Sequence, residues 1–167
     1  DVSMVSSWPI SLRNLCVHSD AVSVDGFECG GHPGEDDMPN MILLPRAAEE
    51  LKIPFVAAGG MADARSLVAS LAMGADGMNM GTRFMATKEA PCHENVKQAI
   101  INASELDTRL VMRPIRNTER VLNNSAVERL LEKEKDLGSK SSSIKKLSDQ
   151  KFLESKSFAT IYDGMSI

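Results

Sequence analysis

Between residues 26 and 37 the sequence reads GFECGGHPGEDD: four glycines and a proline around one histidine, closed by three successive carboxylates. His32 stands between Gly31 and Pro33, on backbone able to approach a planar ligand closely. An imidazole titrating near neutrality suits removal of a proton from a weakly acidic carbon. The same stretch also suits a wet surface turn in which Glu35 or Asp36 holds the ring, and both readings stand on these residues alone. Two further glycine-rich stretches follow, AAGG at 57–60 and MGTRF at 80–84. A phosphate needs backbone N–H groups free of Cβ interference, and a hydroxyl adds another donor. Gly59, Gly60, Gly81 and Thr82 are therefore candidates to hold a phosphate-bearing cofactor, although a tight turn uses the same residues.

A metal site fits the spacing poorly. Cys29 and His32 form a C-x-x-H pair, but downstream only the adjacent Cys92 and His93 could complete it, and neighbours in sequence cannot easily chelate one ion. The run Glu35, Asp36, Asp37 points its carboxylates in different directions and reads as a solvated loop rather than a magnesium site. The arginines of TRLVMRPIRNTERV (108–121) read as exposed guanidinium groups on a packed helix or strand.

The elements that must position these residues follow a regular order. Residues 21–27, AVSVDGF, alternate as a short strand does and run straight into the glycine loop. MILLPRAAEEL (41–51) reads as a helix starting near Pro45, since proline is tolerated in a first turn. IPFVAAGG (53–60) is an apolar strand. Asp63 can cap the next helix, which carries Ala64, Leu67, Val68, Leu71 and Ala72 on one face and stops at Gly74. ADGMNMGTRF (75–84) reads as a third strand ending in Gly81 and Thr82. The pattern of strand, loop, helix is that of parallel βαβ units, whose ligand sites lie at the carboxyl ends of the strands. HENVKQAIINA (93–103) is amphipathic, with Val96, Ala99, Ile100 and Ala103 on one side. Ser125 and Glu128 form a capping box ahead of a further helix. The Ser/Lys-rich stretch from 137 reads as a weakly held tail. Residues 1–20 show no clear periodicity.

At 167 residues the chain suits one domain with a real core. A net charge of -4 favours neither nucleic acid nor a membrane surface, and no apolar run is long enough for a bilayer-spanning helix, so a small molecule is the expected ligand. Three widely spaced cysteines suit a reducing compartment, and a cytoplasmic location is expected.

The blocks DAVSVDGFECGGHPGEDD, IPFVAAGG, GADGMNMGTRFMATKEAPCHENVK and TRLVMRPIRNTERV, in this order and spacing, resemble signature blocks of the nitronate monooxygenase family, formerly the 2-nitropropane dioxygenases. The resemblance covers residues 20–136, and SFATIYDG (157–164) resembles a degraded later block. It implies an α/β fold, the last three βα units of a TIM-like (β/α)8 barrel, followed by a small helical region. The implied organisation is an irregular segment 1–20, a half-barrel 21–104, a helical extension 105–136 and a tail 137–167. It implies FMN as cofactor, His32 as catalytic base, Gly30 and Gly31 against the flavin, and Gly59, Gly60, Gly81 and Thr82 at its phosphate. The implied reaction is oxidative denitrification of alkyl nitronates, with O2, to carbonyl compounds and nitrite. The same residues suit an NAD(P)H:quinone reductase of that family. An FMN-dependent enoyl reductase of fatty-acid synthesis shares GGH and MGTRF, but GEDD and RNTERV speak against it. The segments expected to supply the first five strands are not in the sequence, so the chain is expected to be a C-terminal piece, and a non-catalytic remnant is the alternative from another class.

Overall fold

The computed structural model describes residues 2–5 and 19–138, which fall into two compact units dividing between Arg83 and Phe84. In the first, strands β1 (Val2–Val5), β2 (Ala21–Asp25), β3 (Phe55–Ala58) and β4 (Gly77–Met78) form one parallel sheet in sequence order. Helix α1 (Asn40–Glu50) connects β2 to β3, and α2 (Ala64–Ala72) connects β3 to β4. Parallel neighbours need such crossovers. The fold is thus α/β with a parallel sheet, as expected, but four strands are present rather than three. The added one, β1, lies in the segment that shows no periodicity: its state comes from pairing with β2, Val2 opposite Ala21 through Val5 opposite Val24.

The β2 sequence explains its two faces. Val22 and Val24 are buried on one side with Phe55 and Ala57 of β3, and Leu43, Leu44 and Ala47 of α1 close over them. Each fully buried Leu or Val contributes roughly 1.5–3 kcal/mol relative to exposure. Ser23 and Asp25, at the alternate positions, are buried toward the other face. Register then sets the strand ends: Asp25 lies opposite Ala58, and Ala57 opposite Met78. Asp76 pins the start of β4 to β3, its backbone N–H donating to the Phe55 carbonyl and its carboxylate accepting from the Phe55 N–H at 2.9 Å.

Several expected elements are corrected. Helix α1 begins at Asn40, five residues before Pro45, which lies inside it. Burial of Leu43, Leu44 and Ala47 fixes the start, and Pro45 sits on the exposed side, where the carbonyl it leaves unbonded can reach water. In α2, Asp63 caps as expected, accepting from the N–H groups of Arg65 and Ser66, and Gly74 ends the turn at φ +95°. The stripe Leu67, Val68, Leu71 is, however, exposed, and Ser70 is the buried residue. Its hydroxyl donates to the Ser66 carbonyl at 2.7 Å, so burial leaves no polar atom unsatisfied. The expected third strand over 75–84 shrinks to Gly77–Met78, and Thr82–Met85 instead forms a short helix, α3.

In the second unit, α4 (Glu94–Asn102) is capped by His93, whose Nδ1 accepts from the Asn95 N–H at 3.1 Å. Its buried residue is Lys97, not one of the expected apolar positions, and the Lys97 ammonium donates to the Lys88 carbonyl. Residues 105–136 are not helical throughout. They hold an antiparallel ribbon, β5 (Thr108–Val111) with β6 (Glu119–Leu122), around a 3-10 turn at Arg113–Ile115, before α5 (Ser125–Gly138). Val111, Met112, Val127 and Leu130 form its core. Asn124, rather than Ser125, caps α5: its Oδ1 accepts from the N–H groups of Ala126 and Val127 at 2.9 and 3.0 Å. The stretch 139–167, with SFATIYDG and most of the expected tail, lies outside the described residues, as does 6–18.

Candidate functional site

Three loops leave the carboxyl ends of the adjacent strands β2, β3 and β4, and the expected functional residues divide among them. Gly30, Gly31 and His32 lie between β2 and α1; Gly59 and Gly60 follow β3; Gly81 precedes α3, of which Thr82 is the first residue. The expectation that Gly81 and Thr82 end a strand is corrected, since β4 stops at Met78, the Asn79 N–H makes a ladder bond to the Ala57 carbonyl, and Thr82 opens α3.

The first two loops interlock. The Gly26 N–H donates to the Ala58 carbonyl at 3.2 Å, and the Cys29 N–H closes a turn on the Gly26 carbonyl at 3.0 Å. Gly59, at φ +86°, packs into that turn: a Cβ there would lie 2.9 Å from the Gly26 carbonyl oxygen and 3.0 Å from the Cys29 nitrogen. Gly60, at φ +70°, packs on Glu28 in the same way. For this pair, glycine is required by backbone conformation and by the neighbouring loop.

Gly30, Gly31 and Gly81 differ. A Cβ built on any of them meets no atom within 4 Å, so each presents bare backbone to open space. Gly31 also has φ +79°. His32 is exposed beside this pair, and Pro33 and Gly34 behind it are buried, which fixes the base of the loop. A flat ligand has room to lie against the backbone of Gly30 and Gly31, beside His32, without meeting a side chain there. Among the described residues, no group of three His, Cys, Asp or Glu side chains is placed to hold a metal.

Three polar residues at the same strand ends escape a motif-based reading. Asp25, the last residue of β2, is 8% exposed, and burial raises its pKa, with a hydrogen bond from the Ser23 hydroxyl at 3.3 Å acting the other way. Asn40, 4% exposed, donates through Nδ2 to the carbonyls of Ala58 (2.8 Å) and Gly59 (2.7 Å). Glu28 accepts the Asn40 backbone N–H with both carboxylate oxygens at 3.1 Å. Helix α1 has no acidic residue in its first turn and no side-chain cap at Pro39, so Glu28 provides from the glycine loop the negative charge that a helix N-terminus favours. The alternation of VSVD hinted at the Ser23–Asp25 pair. Nothing local links Glu28 with Asn40.

Of the arginines of 108–121, Arg109, Arg113 and Arg116 are exposed as expected, whereas Arg120 is half-buried and donates to the Thr108 hydroxyl at 3.2 Å. Arg109 is exposed and donates to the carbonyls of Leu106 and Thr108, both at 2.8 Å.

Comparison with known proteins adds three findings. A family model described as nitronate monooxygenase matches residues 3–159. A probable nitronate monooxygenase of Staphylococcus aureus strain Newman is 33% identical over 144 residues, and the match covers 81% of this chain and 41% of that protein. The chain therefore spans about two fifths of the length of the curated relatives it matches. Among solved structures, a methionine-to-alanine variant of FabK from Thermotoga maritima superposes with a TM-score of 0.72 at 32% identity, covering 79% of this chain and 43% of that one. The nitroalkane oxidase of Streptomyces ansochromogenes superposes with a TM-score of 0.63 at 33% identity, covering 74% and 38%.

Proposed function

The chain belongs to the nitronate monooxygenase family, and from that premise we propose that its strand-end loops are the histidine-bearing part of an FMN site for oxidative denitrification of alkyl nitronates to carbonyl compounds and nitrite. Its parallel strands are read as part of a (β/α)8 barrel, in which such loops line the mouth. The observation that carries the proposal is His32, exposed beside Gly30 and Gly31, whose Cβ positions face open space on the β2 side of a loop pair welded through Gly26, Cys29 and Gly59.

The residues fit the roles in turn. Gly30 and Gly31 let backbone lie against a flat ring system without a side chain intervening. Gly59 and Gly60, with Gly81 and the Thr82 hydroxyl on the next loop, supply donors suited to a phosphate. His32, as a neutral imidazole, takes the proton alpha to the nitro group of a nitroalkane, leaving the nitronate anion. Bound FMN supplies the electron acceptor for that anion, and dioxygen completes conversion to the carbonyl compound and nitrite.

The test pairs binding with turnover. FMN added to the purified chain should develop the perturbed visible spectrum of a bound flavin, and a nitroalkane with oxygen should then yield nitrite. Replacing His32 by Ala should lower nitroalkane turnover by about 10²–10⁴-fold, the range that general-base catalysis supplies, and spare a nitronate formed beforehand. Unchanged nitroalkane turnover would remove His32 from the role. The residues suit an NAD(P)H:quinone reductase of the same family equally, and quinone reduction by NAD(P)H without nitrite formation would select that reaction instead. A folded chain that binds no flavin would instead favour a non-catalytic remnant.

A further inference from the structure

We infer that Asn40 and Glu28 form a positioning latch that turns two consecutive peptide units of the β3 loop so that their N–H groups face the ligand, and thereby set the preference for a phosphorylated over an unphosphorylated flavin. The inference rests on the FMN reading above and concerns residues that touch no ligand themselves.

The geometry begins at the end of β3. Beyond Ala58 the loop has left the β2–β3 pairing, and it turns through two glycines at φ +86° and +70°, conformations with little stiffness of their own. The Ala58 carbonyl already accepts the Gly26 N–H at 3.2 Å, and the Asn40 amide adds a second bond there and extends the hold to the Gly59 carbonyl. Both Nδ2 protons are committed, one to the Ala58 carbonyl at 2.8 Å and one to the Gly59 carbonyl at 2.7 Å. In a trans peptide the carbonyl and the following N–H point in opposite directions. Fixing the Ala58 and Gly59 carbonyls toward Asn40 therefore directs the N–H groups of Gly59 and Gly60 away from it. Successive N–H groups aimed outward form an anion-binding concavity.

The amide cannot serve equally well when flipped. Its Oδ1 is buried without a hydrogen-bond partner, and exchanging it with Nδ2 would set an oxygen against two carbonyl oxygens. The position of Asn40 is fixed in turn by Glu28, whose two oxygens accept its backbone N–H at 3.1 Å. Gly26 completes the latch. A Cβ there would fall 2.5 Å from Asn40 Cγ, Asn40 Oδ1 and Glu28 Oε2, so only glycine admits both partners. Because Glu28 lies four residues before His32, the latch also ties the histidine loop to the glycine pair.

The experiment compares the dissociation constants of FMN and riboflavin for the full chain by flavin fluorescence quenching, with circular dichroism confirming the fold. Wild type should prefer FMN. Replacing Asn40 by Ala should reduce that preference about tenfold or more, the order expected for two neutral hydrogen bonds, and change riboflavin affinity much less. Glu28→Ala should reduce it in the same direction, and Glu28→Gln, which retains an acceptor for the Asn40 N–H, should restore it. If Asn40→Ala does not fold, the Glu28 pair carries the test. A wild-type preference that survives Asn40→Ala, or both Glu28 variants in that event, overturns the latch and leaves the flavin reading standing. Equal wild-type affinity for the two flavins does the same. Binding of neither flavin overturns both.

Discussion

Glu134 shows how one side chain can fix a strained stretch of backbone. Met112, 4% exposed, has φ +58° at the end of β5, where its N–H is turned out of the ribbon and donates to Glu134 at 2.6 Å. Arg116, three residues beyond the proline-containing 3-10 turn's start, is also left-handed at φ +55°. Non-glycine residues hold such conformations only where surrounding contacts over-determine them. Removing the acceptor by Glu134→Ala would leave a buried N–H unsatisfied and should destabilise by about 1–3 kcal/mol, measured by chemical denaturation. Glu134→Gln keeps an acceptor and should not destabilise at neutral pH. Equal losses in the two variants would assign Glu134 a packing role instead. No motif announces this contact, because its partners lie 22 residues apart and one of them is a backbone atom. The Asn40–Glu28 latch was illegible in the sequence for the same reason, whereas Gly31, Gly59 and Gly60 stood out because a positive φ leaves a glycine behind.

At the scale of elements, legibility followed how local the determining chemistry is. The start of α2 could be read because Asp63 satisfies N–H groups only two and three residues ahead, and β2 because its alternation matches its two faces. The start of α5 was misplaced by one residue because Asn124 and Ser125 are both good caps, and only the bonds from Ala126 and Val127 decide between them. Asn124→Ala should therefore cost about 1 kcal/mol, with Ser125→Ala costing a small fraction of that, as thermal melts of the two variants would show. A reversed order would restore the capping box at Ser125. The face of α2 could not be read at all from hydrophobicity: Leu67, Val68 and Leu71 are exposed, and the small Ser70, which satisfies its own hydroxyl, lies inside. Strand β1 was equally hidden, because four residues gain their strand character from β2 rather than from their own sequence.

Across the molecule, the acids divide by the sign of their effect, and the division predicts an acid response. Burial raises the pKa of Asp25 in the first unit and of Glu134 in the second. The native state then keeps a proton that the unfolded chain has released, so stability falls as pH rises from the unfolded values, about 4, through the folded ones. Asp63 has the opposite sign. The Arg65 side chain, then the Ser66 N–H, lowers its pKa to about 2. Bonds from the Ser104 backbone and hydroxyl lower that of Asp107. The stability these two contribute is complete above the unfolded value and is lost as pH falls from about 4 toward the folded values. Together the four groups favour a stability maximum on the acid side of neutrality. Replacing Asp25 by Asn and Glu134 by Gln removes the loss on the high-pH side while leaving both hydrogen-bonding roles fillable. The double variant should melt at a higher temperature than wild type at pH about 7, with the gain vanishing by pH about 3, where both carboxyls are protonated in either state. Because the two positions lie in different compact units and share no partner, their separate gains should add. Melting temperatures of the wild type, both single variants and the double variant across that pH range decide it, and a gain of equal size at both ends would show that packing, not ionisation, distinguishes the amides.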